Sequence, residues 1–242
     1  MLKKTKGVVL HAIPYNDKYY IVHILTEEYG RLSFHAPRSK SKTSKLSKFL
    51  FLPMSVLELE IDYKGNKDLH RVKEAVLAFP IVELYADPVK NVLSLFLAEF
   101  MYRVLREAGK DEPLFDFVVH SIQLLELSHQ SVANFHLLFL LRMTHYLGFT
   151  PNMEKSSQCA FFDLYSGSFI PDIPIHKHYL DKEEGYYFRK LMQTSFESMH
   201  ELPLSRDLRV KLLERIIEYF RLHLFDFPEI KSLEILRTIF NN

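Results

Sequence analysis

Apolar and polar residues alternate along the first third of the chain, from Lys6 to about residue 79. Leu57, Leu59 and Ile61, for example, are separated by Glu58 and Glu60. Alternation with a period of two residues predicts β-strands with one face toward a core and one toward solvent. The pattern predicts five strands, at about residues 6–13, 18–25, 30–36, 50–63 and 67–78. Five short antiparallel strands within this length are typical of a small Greek-key barrel of the OB type.

The period of the apolar residues changes after residue 79 from two residues to 3.6, the helical repeat. Pro80 and Pro88 bracket this change, so we interpret residues 80–88 as a linker. One of the predicted helices, at 131–148, is apolar on nearly every side, which is typical of the buried centre of a bundle. The predicted helices are 89–109 ending at Gly109, 113–128, 131–148 from an N-cap at Ser131, 181–199, 205–224 from an N-cap at Ser205, and 228–240 from Pro228.

These patterns predict an α+β multidomain protein. Residues 1–79 form a five-stranded OB-fold β-barrel, residues 80–88 a linker, and residues 89–242 an all-α helical domain. Between residues 152 and 179 the helical pattern breaks into short pieces around a turn at 165–168. We therefore predict an irregular insert at about 152–179, with room for a small hairpin.

Charge is distributed unevenly along the 242 residues, although the formal net charge at pH 7 is only +1. Residues 1–48 hold ten Lys or Arg and three Asp or Glu, whereas the remaining residues hold 21 and 27. A basic footprint at one end of the chain predicts a polyanionic partner. Cys159 is the only cysteine, which rules out an internal disulfide and fits a reducing compartment. No apolar run is long enough for a membrane-spanning helix, so we expect a cytoplasmic protein with no membrane partner.

The basic segment, residues 37–48, contains five Lys or Arg and no carboxylate. Flexible cations interleaved with hydroxyl groups can neutralise the phosphates of a nucleic acid without reading its bases. OB barrels commonly add aromatic residues on which bases stack, and the neighbouring strands offer Tyr19, Tyr20, Tyr29 and Phe34. The alternative interpretation is that Lys and Ser keep a long loop soluble, while the aromatic side chains pack inside the barrel.

Side chains suited to metal binding or catalysis are scattered through the sequence. Cys159, His176 and His178 lack the two close ligand pairs of a structural zinc site, and a lone Cys near phenylalanines is more typical of a small buried residue. His136 and His145 have a spacing that no hydrolase motif requires. The chain contains no P-loop, dinucleotide-binding glycine motif, nucleophile elbow or H-E-x-x-H motif. We therefore predict that the protein is not an enzyme.

Several short motifs follow one another in a defined order. A Gly-Val-Val-Leu strand at 7–10 precedes Tyr-Asn-Asp at 15–17, Thr-Glu at 26–27, Gly30, the basic segment and an apolar strand after Leu52-Pro53. Further on, the helix Phe-Leu-Leu-Arg-Met-Thr-His-Tyr-Leu-Gly at 139–148 is followed by Pro151. This ordered set resembles the RecO family of bacterial recombination mediators over nearly the whole chain.

The resemblance implies an N-terminal OB-fold, a helical C-terminal domain and a role in DNA repair. Proteins of this family bind single- and double-stranded DNA, anneal complementary strands, and act with RecR and the single-strand-binding protein SSB to load the recombinase RecA. It therefore implies DNA, RecR and the C-terminal tail of SSB as partners, with RecA as an indirect one. The residues expected to bind DNA are Lys3, Lys4, Lys6, Arg31, Arg38, Lys40, Lys42, Lys45 and Lys48, with Tyr19, Tyr20 and Phe34 as candidate stacking residues.

The family also implies a zinc site, which this sequence does not reproduce. Many members carry four zinc-binding cysteines after the signature helix, in two pairs. Here Ser156 and Cys159 stand in place of the first pair, and no second pair follows around residues 166–170. We therefore expect no zinc or other cofactor, and expect the lobe to be held by burial of Phe161, Phe162, Leu164 and Phe169.

A dock for the acidic, Phe-ended tail of SSB is implied in the helical domain. It combines a cation with an apolar pocket, which the signature helix places at Phe139, Arg142 and Tyr146. The Arg142 guanidinium would meet a carboxylate of the tail with two hydrogen bonds. An alternative interpretation of Arg142 is a structural ion pair with a core carboxylate such as Glu99.

The leading hypothesis is a non-enzymatic DNA-repair mediator whose barrel binds DNA and whose helical domain recruits proteins. One alternative is a protein-interaction scaffold whose basic segment docks on an acidic partner. Another is an OB-type RNA-binding protein, which would prefer RNA over DNA of equal length.

Overall fold

The computed structural model describes residues 2–37, 48–65 and 67–241. Eight strands and seven α-helices follow one another in this part of the chain. They are β1 (Leu2–Pro14), β2 (Tyr19–Thr26), β3 (Gly30–Pro37), β4 (Val56–Asp62), β5 (Leu69–Leu77), α1 (Glu83–Ala86), α2 (Pro88–Val104), α3 (Glu112–Leu127), α4 (Phe135–Tyr146), β6 (Phe161–Asp163), β7 (Ser168–Ile170), β8 (Tyr179–Leu180), α5 (Lys182–Gln193), α6 (Arg206–His223) and α7 (Ser232–Asn241).

The first five strands form a closed barrel in the order β1-β2-β3-β5-β4. Neighbouring strands are antiparallel, except that β3 and β5 pair in parallel where residues 33–35 lie beside residues 69–71. Closure of the barrel leaves no open sheet edge. The predicted five-stranded OB barrel is therefore confirmed.

The alternation in the sequence fills the inside of this barrel. Val22, Ile24 and Phe34 are completely buried, whereas the residues between them lie on the outer face. Two strand limits differ from the prediction. β1 begins at Leu2 rather than residue 6, because its first half continues beside β4. β4 begins at Val56 rather than residue 50, because residues 48–51 form a short 3-10 helix.

The predicted linker at residues 80–88 contains α1 and the first residue of α2. The start of α1 is stabilised by the side chain of Glu126, which is distant in the sequence and lies near the end of α3. Its carboxylate accepts hydrogen bonds from the backbone amides of Val82, Glu83 and Leu84 at 2.8, 3.0 and 2.8 Å. Burial raises the pKa of this carboxyl group, but the three backbone donors and Lys90 hold it below its ordinary value. A single side chain therefore satisfies three amides that would otherwise lack a partner.

Helix α2 has a side-chain cap at its N-terminus and ends earlier than the sequence predicts. Asp87 accepts hydrogen bonds from the amides of Val89 and Lys90, each within 2.9 Å, and so caps the N-terminus. The helix ends at Val104 rather than at Gly109, because Leu105 leaves the helical conformation while its amide still bonds to the carbonyl of residue 101. Gly109 is therefore not the C-cap that the sequence predicts.

Helix α4 is buried on nearly every side, as predicted, with nine of its twelve residues buried. It begins after Asn134 rather than after Ser131, and the Asn134 side chain donates to the carbonyl oxygens of Met199 and Leu202 instead of capping the helix. Ser205 caps α6 as predicted, because its Oγ accepts a hydrogen bond from the Leu208 amide.

Helix α7 begins at Ser232, so Pro228 is not its first residue. Its start is held by Glu99 of α2, whose carboxylate accepts hydrogen bonds from the amides of Lys231 and Ser232 at 3.1 and 2.7 Å. The sequence pattern placed the helix four residues too early, because Pro favours a first helical position but does not require one.

The segment predicted to be irregular, residues 152–179, contains most of a small antiparallel sheet in the order β7-β6-β8. The turn between β6 and β7 includes Gly167 at φ +62°, a left-handed conformation that glycine adopts without strain. Phe162 and Leu164 are completely buried, and Phe161 and Phe169 are 8% and 2% exposed. The predicted burial of these four residues is therefore confirmed.

The chain divides into two compact units, Met1–Leu127 with Ile230–Leu233 and Ser128–Glu229 with Glu234–Asn242. The first unit contains the barrel and helices α1 to α3, and the second contains α4 to α6 and the small sheet. This grouping does not test the predicted boundary at residues 80–88, which stays a prediction. Within the described residues, no helix is both long enough and apolar enough to cross a membrane.

Candidate nucleic-acid interface

The outer face of β1, β2 and β3 is the part of the barrel that OB folds use most often for oligonucleotides. Side chains of β2 and β3 that lie on this face follow the antiparallel register of the two strands. His23 lies opposite Ser33, Ile21 opposite His35, and Tyr19 opposite Pro37. The face therefore runs from Arg31, near the turn between β2 and β3, to Tyr19 and Pro37 at the other end.

Tyr102 of α2 covers the end of this face near Arg31. Its ring centroid lies 4.7 Å from that of His11 and 5.0 Å from that of His23. The Arg31 guanidinium lies 4.5 Å from the centroid of the Tyr102 ring, and Arg31 Nη1 donates a hydrogen bond to the Tyr102 carbonyl oxygen at 2.9 Å. Arg31, which the sequence predicts to bind DNA, is thus engaged with the protein itself.

The two histidines under Tyr102 add no positive charge to this end at neutral pH. Burial, with a smaller contribution from the Arg31 charge, lowers the pKa of His23 to about 4. Burial and the charge of Arg103 also lower the pKa of His11. His23 Nδ1 and Ser33 Oγ are within hydrogen-bonding distance, at 2.9 Å. The positive charge at this end therefore comes from the guanidinium groups of Arg31 and Arg103 and not from the histidines.

The opposite end of the face carries one exposed aromatic residue, Tyr15, and two half-buried ones, Tyr19 and His35. His35 lies between two tyrosines, with its ring centroid 5.8 Å from that of Tyr15 and 5.6 Å from that of Tyr19. Tyr15 is 61% exposed. Pro37, opposite Tyr19, is the last residue of β3 and leads into the basic segment.

The predicted stacking residues lie in different environments in the structure. Phe34 is completely buried inside the barrel, which leaves its ring no face for a base, so its predicted role is corrected. Tyr20 packs against the barrel core, and Tyr29 stacks on Tyr63 with ring centroids 4.3 Å apart. Of the three candidates, Tyr19 alone lies on the outer face beside His35.

Sequence reasoning missed Tyr15 and His35. The signal for His35 was present, because period-two alternation places it on the face opposite Phe34 and Ala36. Tyr15 lies in the turn between β1 and β2, where no periodic pattern predicts which way a side chain faces.

The lysines at the start of β1 lie beside carboxylates of the barrel. Lys4 is opposite Glu60 and Lys6 is opposite Glu58 in the pairing of β1 with β4, whereas Lys3 alternates to the other side of the strand. Lys4 and Lys6 line a groove of about 390 Å³. Four glutamates share that groove: Glu27, Glu58, Glu60 and Glu74. The structure therefore does not bring these lysines together with Arg31 into one basic surface.

Most of the basic segment lies outside the residues that the structure describes. Arg38, Lys40, Lys42 and Lys45 lie outside the described residues, as does the side chain of Lys48. Their predicted contact with DNA rests on the sequence and on the position of Pro37.

Two family models together match almost the whole chain. The model described as Recombination protein O N terminal matches residues 1–80, and the one described as Recombination protein O C terminal matches residues 85–234. The chain belongs to the RecO family. The resemblance seen in the ordered motifs is therefore confirmed.

RecO-family relatives align with the chain from end to end. Proteins named DNA repair protein RecO are 39% identical in Azobacteroides pseudotrichonymphae genomovar. CFP2, 42% identical in Phocaeicola vulgatus and 40% identical in Bacteroides fragilis. Each alignment covers 100% of this chain and 100% of the relative. The similarity to these relatives therefore extends over the whole chain.

The dock for an SSB tail that the RecO family implies falls on α4. Phe139 is completely buried, so its side chain supports the helix from inside and has no surface to offer a peptide. Arg142 Nη2 donates a hydrogen bond to the carbonyl oxygen of Thr194, the C-cap residue of α5, at 2.9 Å. Tyr146 is partly exposed. Glu99, the alternative partner of Arg142, accepts hydrogen bonds from Arg103 and from the start of α7 instead.

The residues in place of the RecO-family zinc site do not fit a zinc ion. Among the described residues, no three His, Cys, Asp or Glu side chains gather as metal ligands. Arg189 of α5 holds the lobe instead. Its Nη2 donates to the Cys159 carbonyl oxygen at 2.8 Å, and its guanidinium lies 4.9 Å from the centroid of the Phe169 ring. The absence of zinc stays a prediction, which metal analysis of the purified protein would test.

Proposed function

We propose that this RecO-family protein is a DNA-repair mediator that binds single- and double-stranded DNA without sequence specificity. It promotes annealing of complementary strands and, with RecR, helps to load RecA on DNA coated by SSB. It does so in the cytoplasm and without a catalytic step. The observation that carries the proposal is that β3 ends with Pro37 at the aromatic end of the barrel face, and the rest of the basic segment follows Pro37 in the sequence.

Phosphate contacts account for binding that ignores sequence. Lys and Arg side chains neutralise phosphates and release bound counterions, so affinity depends strongly on salt. The segment contributes five cations without a carboxylate, whereas Lys4 and Lys6 lie beside glutamates. The basic segment is therefore the main source of DNA affinity in the barrel.

The test is a titration of single-stranded DNA at several salt concentrations. Converting Lys40, Lys42, Lys45 and Lys48 to Glu removes four cations, so the slope of log affinity against log salt should fall by about 3, at roughly 0.7 per phosphate. A control variant of equal net charge changes four exposed lysines of the second unit: Lys155, Lys177, Lys190 and Lys211. We expect that control to keep its slope. An unchanged slope in the basic-segment variant would reject the proposal, and a clear preference for RNA of equal length would favour an RNA-binding protein.

The proposed contact with the SSB tail is supported by the half-buried cation of Arg142. Since Phe139 is buried, the apolar part of the dock must come from surface residues near Tyr146. Binding of a peptide with the acidic, Phe-ended tail should weaken at least tenfold in Arg142→Ala and only modestly in Arg142→Lys, which keeps the charge. Equal binding by both variants and the unchanged protein would contradict this site.

A further inference from the structure

The exposed aromatic end of the barrel face has no role in packing the barrel core. We define the aromatic cluster as Tyr15, Tyr19 and His35. The ring of His35 is inclined by 31° to that of Tyr15 and by 34° to that of Tyr19. The three rings are tilted against one another, and the accessible π surface comes from Tyr15, which is 61% exposed, and from the exposed parts of Tyr19 and His35, which are half-buried.

The turn that carries Tyr15 is held rigidly by its own hydrogen bonds. Asn16 Oδ1 accepts from the amides of Lys18 and Tyr19, both at 2.9 Å. The amides of Tyr15 and Asn16 both donate to the Tyr19 carbonyl oxygen, at 3.1 and 3.2 Å. A flat ligand that stacks on the cluster would therefore order little additional chain, which favours binding.

The other end of the same face is closed to such a ligand. Tyr102 covers His11 and His23, and the Arg31 guanidinium is engaged with the Tyr102 ring and carbonyl. Among the described residues of this face, Tyr15, Tyr19 and His35 therefore offer a crossing strand aromatic rings that Tyr102 does not cover. Lys18 is exposed in the same turn, and the chain beyond Pro37 is basic, so the charge favours a polyanion.

We propose that the aromatic cluster is a stacking platform for one or two unpaired bases of single-stranded DNA. This inference rests on the proposed function and adds a preference for single strands to it. Every base has a π face, so stacking tolerates any sequence. Bases inside a duplex are already stacked on one another and cannot reach the platform.

The experiment compares binding of a single-stranded oligonucleotide and a duplex of the same length. Stacking on an aromatic side chain contributes about 1–3 kcal/mol per base. Tyr15→Ala and Tyr19→Ala should therefore each weaken single-strand binding by about fivefold or more. Duplex affinity should change by less than twofold, and the salt slope should not change, because no phosphate contact is removed. Tyr15→Phe and Tyr19→Phe keep the rings and should bind like the unchanged protein.

Tyr165→Ala is the matched control, because this tyrosine is 51% exposed in the turn between β6 and β7 of the second unit. Unfolding midpoints of all variants establish that the fold is intact. The platform is overturned if the alanine variants bind single strands normally, or if they lose single-strand and duplex affinity equally. Failure of the proposed function gives a different result, in which the unchanged protein binds neither DNA with a salt-dependent affinity.

Discussion

Replacing Arg31 by alanine distinguishes a structural cation from one that binds DNA. The guanidinium lies 4.5 Å from the Tyr102 ring centroid, and its Nη1 donates to the Tyr102 carbonyl oxygen at 2.9 Å. A hydrogen bond that involves a charged group contributes about 1.5–3 kcal/mol, and a partly desolvated cation–π contact about 0.5–2 kcal/mol. We therefore expect Arg31→Ala to lower the free energy of unfolding by about 2–4 kcal/mol, measured by urea denaturation.

A second substitution separates the two parts of that loss. The acceptor of the 2.9 Å hydrogen bond is a backbone atom, so Tyr102→Ala keeps that bond and removes the ring and hydroxyl group from their interaction with Arg31. The coupling free energy in a double-mutant cycle should therefore be about 0.5–2 kcal/mol, which is less than the whole effect of Arg31→Ala. Tyr102→Phe keeps the ring but removes the hydroxyl group that also interacts with Arg31, so it should keep the cation–π part of the coupling. Arg71→Ala, at an exposed position of β5, is the control and should change stability by less than about 0.5 kcal/mol.

DNA binding by the same variants supplies the result that would refute this reasoning. Each cation that stops neutralising a phosphate of a single strand lowers the salt slope by about 0.7. We expect the slope of Arg31→Ala to equal that of the unchanged protein, at temperatures where both are folded. A lower slope together with an unchanged free energy of unfolding would show that Arg31 faces DNA and that its interaction with Tyr102 contributes nothing.

Three further substitutions test the first compact unit by urea denaturation. Glu126→Ala leaves the amides of residues 82–84 without an acceptor, so the free energy of unfolding should fall by about 3–5 kcal/mol. Gly30→Ala should cost more than about 2 kcal/mol, because Gly30 has φ +65° and a methyl group there would meet the Ala108 carbonyl oxygen. The unfolded chain protonates His23 near pH 6.5 but the folded protein only at a pKa of about 4, so stability falls as the pH drops through this window, by at most about 3 kcal/mol. His23→Gln should remove that part of the loss.

Each of these predictions has a control in the same chain. Glu126→Gln keeps one oxygen to accept the two hydrogen bonds that Oε1 accepts from backbone amides. Its free energy of unfolding should therefore fall by roughly half as much as that of Glu126→Ala. Gly65→Ala is the counterpart of Gly30→Ala, because a methyl group there meets nothing closer than 3.9 Å. His129→Gln changes an exposed histidine. Equal effects at Gly30 and Gly65, or at His23 and His129, would contradict the structural reasons given.

Local rules predicted the elements that depend on neighbouring residues. The alternation around Phe34 and Ala36 placed the strands of the barrel, and the Ser205 cap placed the start of α6. The same alternation placed His35 on the outer face but gave it no functional role. The periodicity of apolar residues indicates which side of a helix or strand is buried. It therefore predicts the fold better than it predicts which exposed residues bind a ligand.

Contacts between distant residues were beyond these rules. Arg31 was counted as a DNA-binding residue by its charge, whereas its partner, Tyr102, lies 71 positions later in the chain. The helix in the predicted linker depends on Glu126, which is more than 40 positions away. Neither partner has a sequence signature, because a carbonyl oxygen and three backbone amides are present in every chain.

The hydrogen bond from Arg189 to the Cys159 carbonyl oxygen also affects the conditions under which this lobe of the second unit stays folded. A lobe held by thiolates around a metal unfolds when a chelator removes the ion or an oxidant consumes the thiols. Here the corresponding lobe is held by a guanidinium on the Cys159 carbonyl oxygen and by buried aromatic rings. None of these groups is removed by a chelator or needs to stay reduced. We therefore expect this lobe to stay folded during metal starvation and oxidative stress, the stress that itself damages DNA.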